Sequence, residues 1–157
     1  MRELILLRHA HADAPASGQD DLLRPLSATG LAEARAAGDW LREHALLPDR
    51  VLCSNAARTR QTLAALGELG CTDVREEAAI YEASPGTLIA LADAHRDARR
   101  LLLIGHNPGL EQLAALLHSG QSGDYRGMPP AGVAVLEFPV EAAIEPGVAR
   151  LSRFWWP

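Results

Sequence analysis

A chain of 157 residues, 48% hydrophobic and 22% charged, has the balance of a single globular domain able to bury a core, which argues against disorder. The formal net charge of −5 argues against a surface built for nucleic acid, so any bound anion must be met by local cations. The longest aliphatic runs, such as Leu101 to Ile104, are far short of the roughly 20 residues of a membrane helix, and Met1 to Leu7 is too short for a secretory signal, so a cytoplasmic protein with no membrane contact is expected. The two cysteines, Cys53 and Cys71, lack CxxC spacing and read as buried free thiols rather than a disulfide or a thiolate zinc site.

Short aliphatic runs alternate with helical patterns, the signature of an α/β domain with a mostly parallel sheet. Leu4 to Leu7 reads as a first strand, followed by a polar loop from Asp13 to Arg24. Ser27 is placed to cap a helix from Ala28 to His44, with Leu31, Ala34, Gly38, Leu41 and Ala45 as its apolar face. Val51 to Cys53 predicts a second strand, and Ala56 to Leu69 a helix closed by Gly70. Val74 to Ile80 reads as a short edge strand, Pro85 to His95 as a helix after Ser84, and Leu101 to Ile104 as a buried strand. Pro108 opens a helix whose Leu110, Leu113, Ala114 and Leu117 form one stripe. Two strands, Val133 to Phe138 and Ala149 to Trp155, finish the sheet as a hairpin-like pair. No repeat or linker divides the chain, so residues 1–157 are read as one domain.

Three of these strands end abruptly in polar residues: Leu7 in Arg8-His9, Cys53 in "SNAARTRQT", and Ile104 in "GHNPG". The crevice beyond the carboxyl ends of the strands is where ligands bind in open α/β sheets, so Arg8, His9, Arg58 and His106 can converge there. Two of the segments lead into helix N-termini, which favour anions, and two arginines sharpen the expected ligand to a phosphoryl group. A neutral imidazole in such a pocket can attack phosphorus and divide one displacement into two. Charge on the equatorial oxygens would be met by Arg8, Arg58 and His106, and Glu82 in "IYEASPG" is the best-placed acid for the leaving group.

In order and spacing, "LLRHAHAD", "RPLSATG", "SNAARTRQT", "YEASPGTL" and "GHNPGLEQLA" resemble the histidine phosphatase superfamily, related to the phosphoglycerate mutases. Chain length, the "GHNPG" form and the ending "RFWWP" are similar to its SixA-type phosphohistidine phosphatase branch. The resemblance implies a three-layer α/β/α sandwich with no metal or other cofactor. It makes His9 the phosphorylated nucleophile and Arg8, Arg58 and His106 the phosphate pocket, with Asn107 beside them as a further phosphate-binding residue. Ala10 stands where the family's commonest motif has glycine, which requires that this backbone position avoid positive φ. Larger relatives carry their acid in an insertion that this chain lacks, so Glu82 can equally be an ordinary surface carboxylate.

One rival is a metal site: "HAHAD" and "GHNPG" are also similar to motifs of metallo-β-lactamase-like hydrolases, with His9 and His11 as ligands. Ala14 stands where that family has another histidine, and Arg8 and Arg58 would sit uncompensated beside a dication. A phosphate-sensing module without catalysis is a second rival, although it needs no nucleophilic histidine. Of the remaining residues, Arg24 is expected to brace the long loop against Asp20 or Asp21, Arg60 to face solvent, and His11 to belong to the rim. His44, His95 and His118 read as surface or packing residues, and Trp40, Trp155 and Trp156 as core or sheet-face residues. The expected activity is hydrolysis of phosphohistidine on a protein partner, a histidine phosphotransfer protein among the candidates, with small phosphate monoesters as the alternative substrates.

Overall fold

The run Leu4-Ile5-Leu6-Leu7 lies inside β1 (Glu3–Arg8) and is wholly buried, with Leu4 and Leu6 entering one hydrophobic core and Ile5 and Leu7 the other. Such a run without polar alternation is what a strand covered on both faces requires. In the computed structural model, which describes residues 1–157, β4 (Arg100–Gly105) repeats the pattern. Its Leu101 and Leu103 face the first core, and Leu102 and Ile104 the second.

With β2 (Arg50–Cys53), β3 (Val74–Glu76), β5 (Val133–Glu137) and β6 (Arg150–Trp155), these strands form one sheet of order β3-β2-β4-β1-β5-β6. The first four are mutually parallel; β5 runs antiparallel to β1, and β6 antiparallel to β5. Helices α1 (Ala28–Glu43) and α2 (Ala57–Ala65) cover one face, and α3 (Pro85–Ala94) and α4 (Gly109–Ser119) the other. The fold is therefore the expected three-layer α/β/α sandwich. No helix is long and apolar enough to cross a membrane.

Local capping follows the sequence. Ser27 Oγ accepts from the Gly30 N–H at 3.0 Å, and Ser84 Oγ from the Thr87 N–H at 3.2 Å, each satisfying a free amide of the first helical turn. Elsewhere the structure corrects the pattern reading. The buried face of α1 is Gly30, Ala34, Ala37, Gly38 and Leu41, while Leu31 and Ala45 are exposed. Close backbone approach, rather than large apolar side chains, sets that face. A Cβ on Gly38 would lie 1.9 Å from the Leu66 carbonyl oxygen, and one on Gly30 2.0 Å from that of His11.

Helix α2 stops at Ala65 because Gly67 takes a left-handed conformation, φ +81°, ahead of the predicted stop at Gly70. The edge strand is only Val74–Glu76; Ala78–Ile80 forms a 3₁₀ turn that drops Ile80 into the core. Cys53 is buried, and burial pushes its thiol up to about 12, whereas Cys71 is only half-buried. Trp40 stacks on Trp155 with ring centroids 5.3 Å apart, but Trp156 is exposed rather than part of the core.

Sheet register positions the site. Arg8 pairs with Gly105 and Cys53 with Ile104, so His9, Ser54 and His106 leave three adjacent strands at the same level.

Candidate active site

His9 is the first residue past β1, and its backbone N–H still donates to the Gly105 carbonyl at 3.0 Å. Its Nδ1 lies 2.7 Å from the Ala10 carbonyl oxygen, an acceptor only, so Nδ1 carries the hydrogen and Nε2 keeps a free lone pair. Burial is the main reason the imidazole is pushed down to about 4; the Ala10 contact opposes the shift, and the nearby Arg58, Arg8 and Arg24 add to it. The ring is therefore neutral at pH 7.

Ala10 is fully buried and lies outside the positive-φ region, so the methyl group is accommodated where glycine is commonest. Its N–H donates to Thr62 Oγ1 at 3.1 Å, and that hydroxyl donates to the Arg58 carbonyl at 2.7 Å. The backbone beside His9 is thereby tied to the turn of α2 that carries Arg58.

His106, buried at the end of β4, places its ring centroid 5.4 Å from that of His9. Burial, followed by His9 and Arg58, pushes it down to about 3. Its Nε2 lies 2.8 Å from Ser54 Oγ; with the Ser54 hydroxyl donating there, Nδ1 carries the hydrogen and is a donor without a partner. Arg8 donates through Nη1 to the Met128 carbonyl at 2.8 Å and keeps a buried Nε without a partner. Arg58 is 7% exposed, as its place at the start of α2 requires, and Arg60 is turned to solvent.

Four buried side-chain polar atoms lack a hydrogen-bond partner: Arg8 Nε, Asn55 Oδ1, His106 Nδ1 and Asn107 Oδ1. All four stand at or just past the ends of β1, β2 and β4. Each such atom costs about 1–3 kcal/mol, and their concentration at one place is the mark of a site whose partners come with a ligand. Two of them are donors, on an arginine and a histidine, and suit an anion.

Asn107 departs from the phosphate-binding role expected of it. Both hydrogens of its Nδ2 are spent, on the Met128 carbonyl at 2.9 Å and on Glu111 Oε2 at 3.2 Å, and the atom left over is an acceptor. Because Arg8 Nη1 uses the same Met128 carbonyl, Asn107 braces the arginine's anchor rather than offering a donor.

A cleft of about 460 Å³ is lined by Asp21, Arg58, Tyr81, Glu82, His106, Asn107 and Gln112 among others; His9 and Arg8 are not on its wall, and it reaches His9 through His106, whose ring centroid is 5.4 Å away. Glu82 is exposed and sits at φ +56°, a left-handed conformation costing a non-glycine residue about 1–3 kcal/mol, of the kind retained at functional sites. A larger cleft, about 820 Å³, lies at the amino ends of β1 and β4 around Arg2, Arg99 and Val140, but its lining includes no histidine, serine or cysteine to act as a nucleophile. His11, the second histidine of "HAHAD", is exposed and held by Ser27 Oγ at 2.7 Å through Nδ1, apart from His9. No group of three or more His, Cys, Asp or Glu residues is assembled in a metal-binding arrangement.

Motif reading missed Ser54, Thr62 and Tyr81, and foresaw Asp21 only as a partner of Arg24, which it is at 3.0 Å. Ser54 and Thr62 stand inside "SNAARTRQT", whose polar character was legible but whose individual contacts were not. Asp21 and Tyr81 meet across the fold at 2.6 Å, a contact that no local spacing announces.

Neutral imidazole, unpartnered donors and arginines gathered at the carboxyl ends of parallel strands define an enzyme of phosphoryl transfer. Residues 4–112 match the sequence profile of the histidine phosphatase superfamily (branch 1), and the chain belongs to that superfamily as one of its phosphatases. It is 38% identical over 160 residues to a protein of unassigned function from Mycobacterium tuberculosis (strain H37Rv), covering 96% of this chain and 99% of that one. It is 30% identical over 119 residues to the phosphohistidine phosphatase SixA of Escherichia coli (strain K12), covering 71% and 73% of the two chains. Among solved structures it is similar to one provisionally assigned as phosphohistidine phosphatase SixA from Nakamurella multipartitia, with a TM-score of 0.86 and 34% identity over 99% of this chain and 96% of that one.

Proposed function

We propose that the protein hydrolyses phosphohistidine on a protein substrate through a covalent phospho-His9 intermediate. The observation that carries this reading is the tautomer of His9: neutral, anchored through Nδ1 to the Ala10 carbonyl, with Nε2 free to attack. In the first step Nε2 forms a bond to phosphorus while the bond from phosphorus to the substrate's imidazole nitrogen breaks. The departing nitrogen takes up a proton, for which Glu82 on the cleft wall is the donor in this reading. Arg8 Nε, Arg58 and His106 Nδ1 donate to the phosphoryl oxygens, where charge is spread in the transition state. In the second step water attacks phosphorus, Glu82 takes its proton back, the bond to His9 breaks, and inorganic phosphate leaves. The reaction calls for no metal or other cofactor.

Two considerations favour a protein-borne phosphohistidine over a small monoester. Relatives at 30% and 34% identity bear the SixA name. The cleft walls at Asp21, Glu82, Ser84 and Pro108 are exposed, which leaves room for a side chain presented by a folded partner, such as a histidine phosphotransfer protein. The test is a comparison of kcat/KM for a phosphohistidine-bearing phosphotransfer domain with that for phosphoserine, sugar phosphates and an aryl phosphate. Preference by orders of magnitude for the protein substrate is expected. Rapid turnover of monoesters with none of phosphohistidine would replace this reading by a small-molecule phosphatase.

A further inference from the structure

The Asp21 carboxylate lines the same cleft as Arg58 and His106, groups that suit an anion. It lies in the 3₁₀ turn Asp21–Leu23 at the end of the long loop, and both carboxylate oxygens and the backbone carbonyl accept from side chains of Arg24, Arg58 or Tyr81. Oδ1 takes Arg24 Nη1 at 3.0 Å, while Oδ2 takes Arg58 Nη2 at 3.1 Å and the Tyr81 hydroxyl at 2.6 Å. Its backbone carbonyl takes Arg58 Nη1 at 2.8 Å. These donors hold the carboxyl well below the usual carboxylate range, the Tyr81 hydroxyl foremost, so Asp21 is ionised wherever the protein is folded and active.

A carboxylate beside a phosphate pocket repels the ligand, and its presence needs a compensating use. Two uses are physically distinct: it can occupy Arg58 in place of the phosphoryl group and be displaced on binding, or it can remain and set the geometry of Arg58. Displacement would break contacts to Arg24, Arg58 and Tyr81 together and leave the nearly buried guanidinium without its carboxylate. Retention costs less, because a guanidinium has five N–H donors and Asp21 takes only two of them.

We infer that Asp21 is a positioning residue: through Oδ2 and its backbone carbonyl it fixes the plane of the Arg58 guanidinium, and through the Tyr81 hydroxyl it fixes the wall beside His106. The second half of that statement rests on Tyr81 standing edge-on to His106, with centroids 5.5 Å apart and an interplanar angle of 90°. The Arg58 guanidinium lies 5.9 Å over the same tyrosine ring, so one carboxylate holds an arginine and the aromatic face it rests on. The long loop from Asp13 to Arg24 is thereby a working wall of the site, pinned at its far end by Arg24 Nε on the Asp13 carbonyl at 3.0 Å. The inference rests on the proposed role of Arg58 as a phosphoryl ligand.

The test compares Asp21→Ala, Asp21→Asn and Arg58→Ala in the full chain, reading kcat and KM on an aryl phosphate or phosphohistidine substrate, the binding of orthovanadate, and the thermal midpoint. An asparagine can keep its amide oxygen toward Tyr81 and Arg58, whereas alanine keeps only the backbone carbonyl contact to Arg58 Nη1. Asp21→Ala is expected to lower kcat and vanadate affinity by about tenfold or more, with Asp21→Asn restoring both to within about threefold of the parent. Greatly weakened vanadate binding by Arg58→Ala with unaltered binding by Asp21→Ala would overturn the inference while leaving the phosphatase reading in place. Tighter vanadate binding by Asp21→Ala would overturn it in favour of displacement. Equal loss in both Asp21 variants, parallel to a fall in thermal midpoint, would overturn it in favour of a purely structural role. Unaltered vanadate binding by Arg58→Ala would remove the phosphoryl-ligand role of Arg58 on which the inference stands, and would overturn it on that separate ground.

Discussion

The Nδ1 of His9 lies 2.7 Å from the carbonyl oxygen of Ala10, the next residue in the chain, and that contact determines which imidazole nitrogen can react. A carbonyl cannot donate, so the hydrogen sits on Nδ1, and the bare Nε2 is the atom left for phosphorus.

Tautomer and basicity of His9 are directly observable. In protein labelled with ¹⁵N at histidine, with His9→Ala supplying the assignment, His9 should appear at pH 7 as the neutral Nδ1–H form and titrate near 4 rather than 6.5. A midpoint at 6.5, or an Nε2–H tautomer, would contradict the proposed nucleophile.

Arg58 should matter more than its single charge suggests. Its guanidinium is nearly buried, and replacing it by alanine is expected to lower kcat/KM by roughly 10²–10³-fold, the scale of losing one preorganised donor to transition-state charge. Arg58→Lys should recover little, because an ammonium cannot present a planar fork. A near-normal rate for Arg58→Ala on any good substrate would mean that the pocket lies elsewhere.

Stability should fall with acid in a window set by the two buried imidazoles. His9 and His106 have folded values of about 4 and about 3, below the ordinary 6.5. Between those limits the unfolded chain binds more protons than the folded one, so stability is full above pH 6.5 and is progressively lost as pH falls toward 3. Urea midpoints measured across that range should show a shallower decline for His106→Phe than for the parent. Identical slopes would show that His106 is not neutral in the folded state.

Gly38 offers a test of packing away from the chemistry. Alanine is the better helix former by about 1 kcal/mol. A Cβ at this position nevertheless falls 1.9 Å from the Leu66 carbonyl oxygen, so Gly38→Ala should destabilise by about 1–3 kcal/mol as α1 and α2 are forced apart. Gly123→Ala, whose Cβ meets nothing within 4 Å, should stay within about 0.5 kcal/mol of the parent in the same denaturation series. A stable Gly38→Ala would contradict the close contact.

Much of this architecture was legible in the sequence because burial on both faces writes itself as unbroken apolar runs, as in β1 and β4, and because each run breaks off at a cluster of polar residues. The face of α1 is less legible, because Leu31 stands out in an apolar pattern where Gly30 and Ala37 do not, and helices that approach through glycine leave a weak hydrophobic signal. The end of α2 is ambiguous in sequence, since Gly67 and Gly70 both have positive φ and the helix stops ahead of the first of them. Within the site, Arg8, His9, Arg58 and His106 stood out because charged residues at strand ends and helix starts are conspicuous. Asp21 and Tyr81 did not, because their partnership joins residues 60 positions apart, and the sequence does not show that Met128 and Glu111 engage both amide hydrogens of Asn107, the expected phosphate-binding residue.

The central claim is that His9 carries the phosphoryl group. The most direct measurement is to mix the protein with a phosphohistidine-bearing substrate, quench within milliseconds, and map acid-labile, alkali-stable phosphate by mass spectrometry, with His9→Ala in parallel. Phosphate on His9 that disappears in water at the rate of turnover, and is absent from the variant, is the result predicted. Normal turnover by His9→Ala, or phosphate trapped on a different residue, would contradict it.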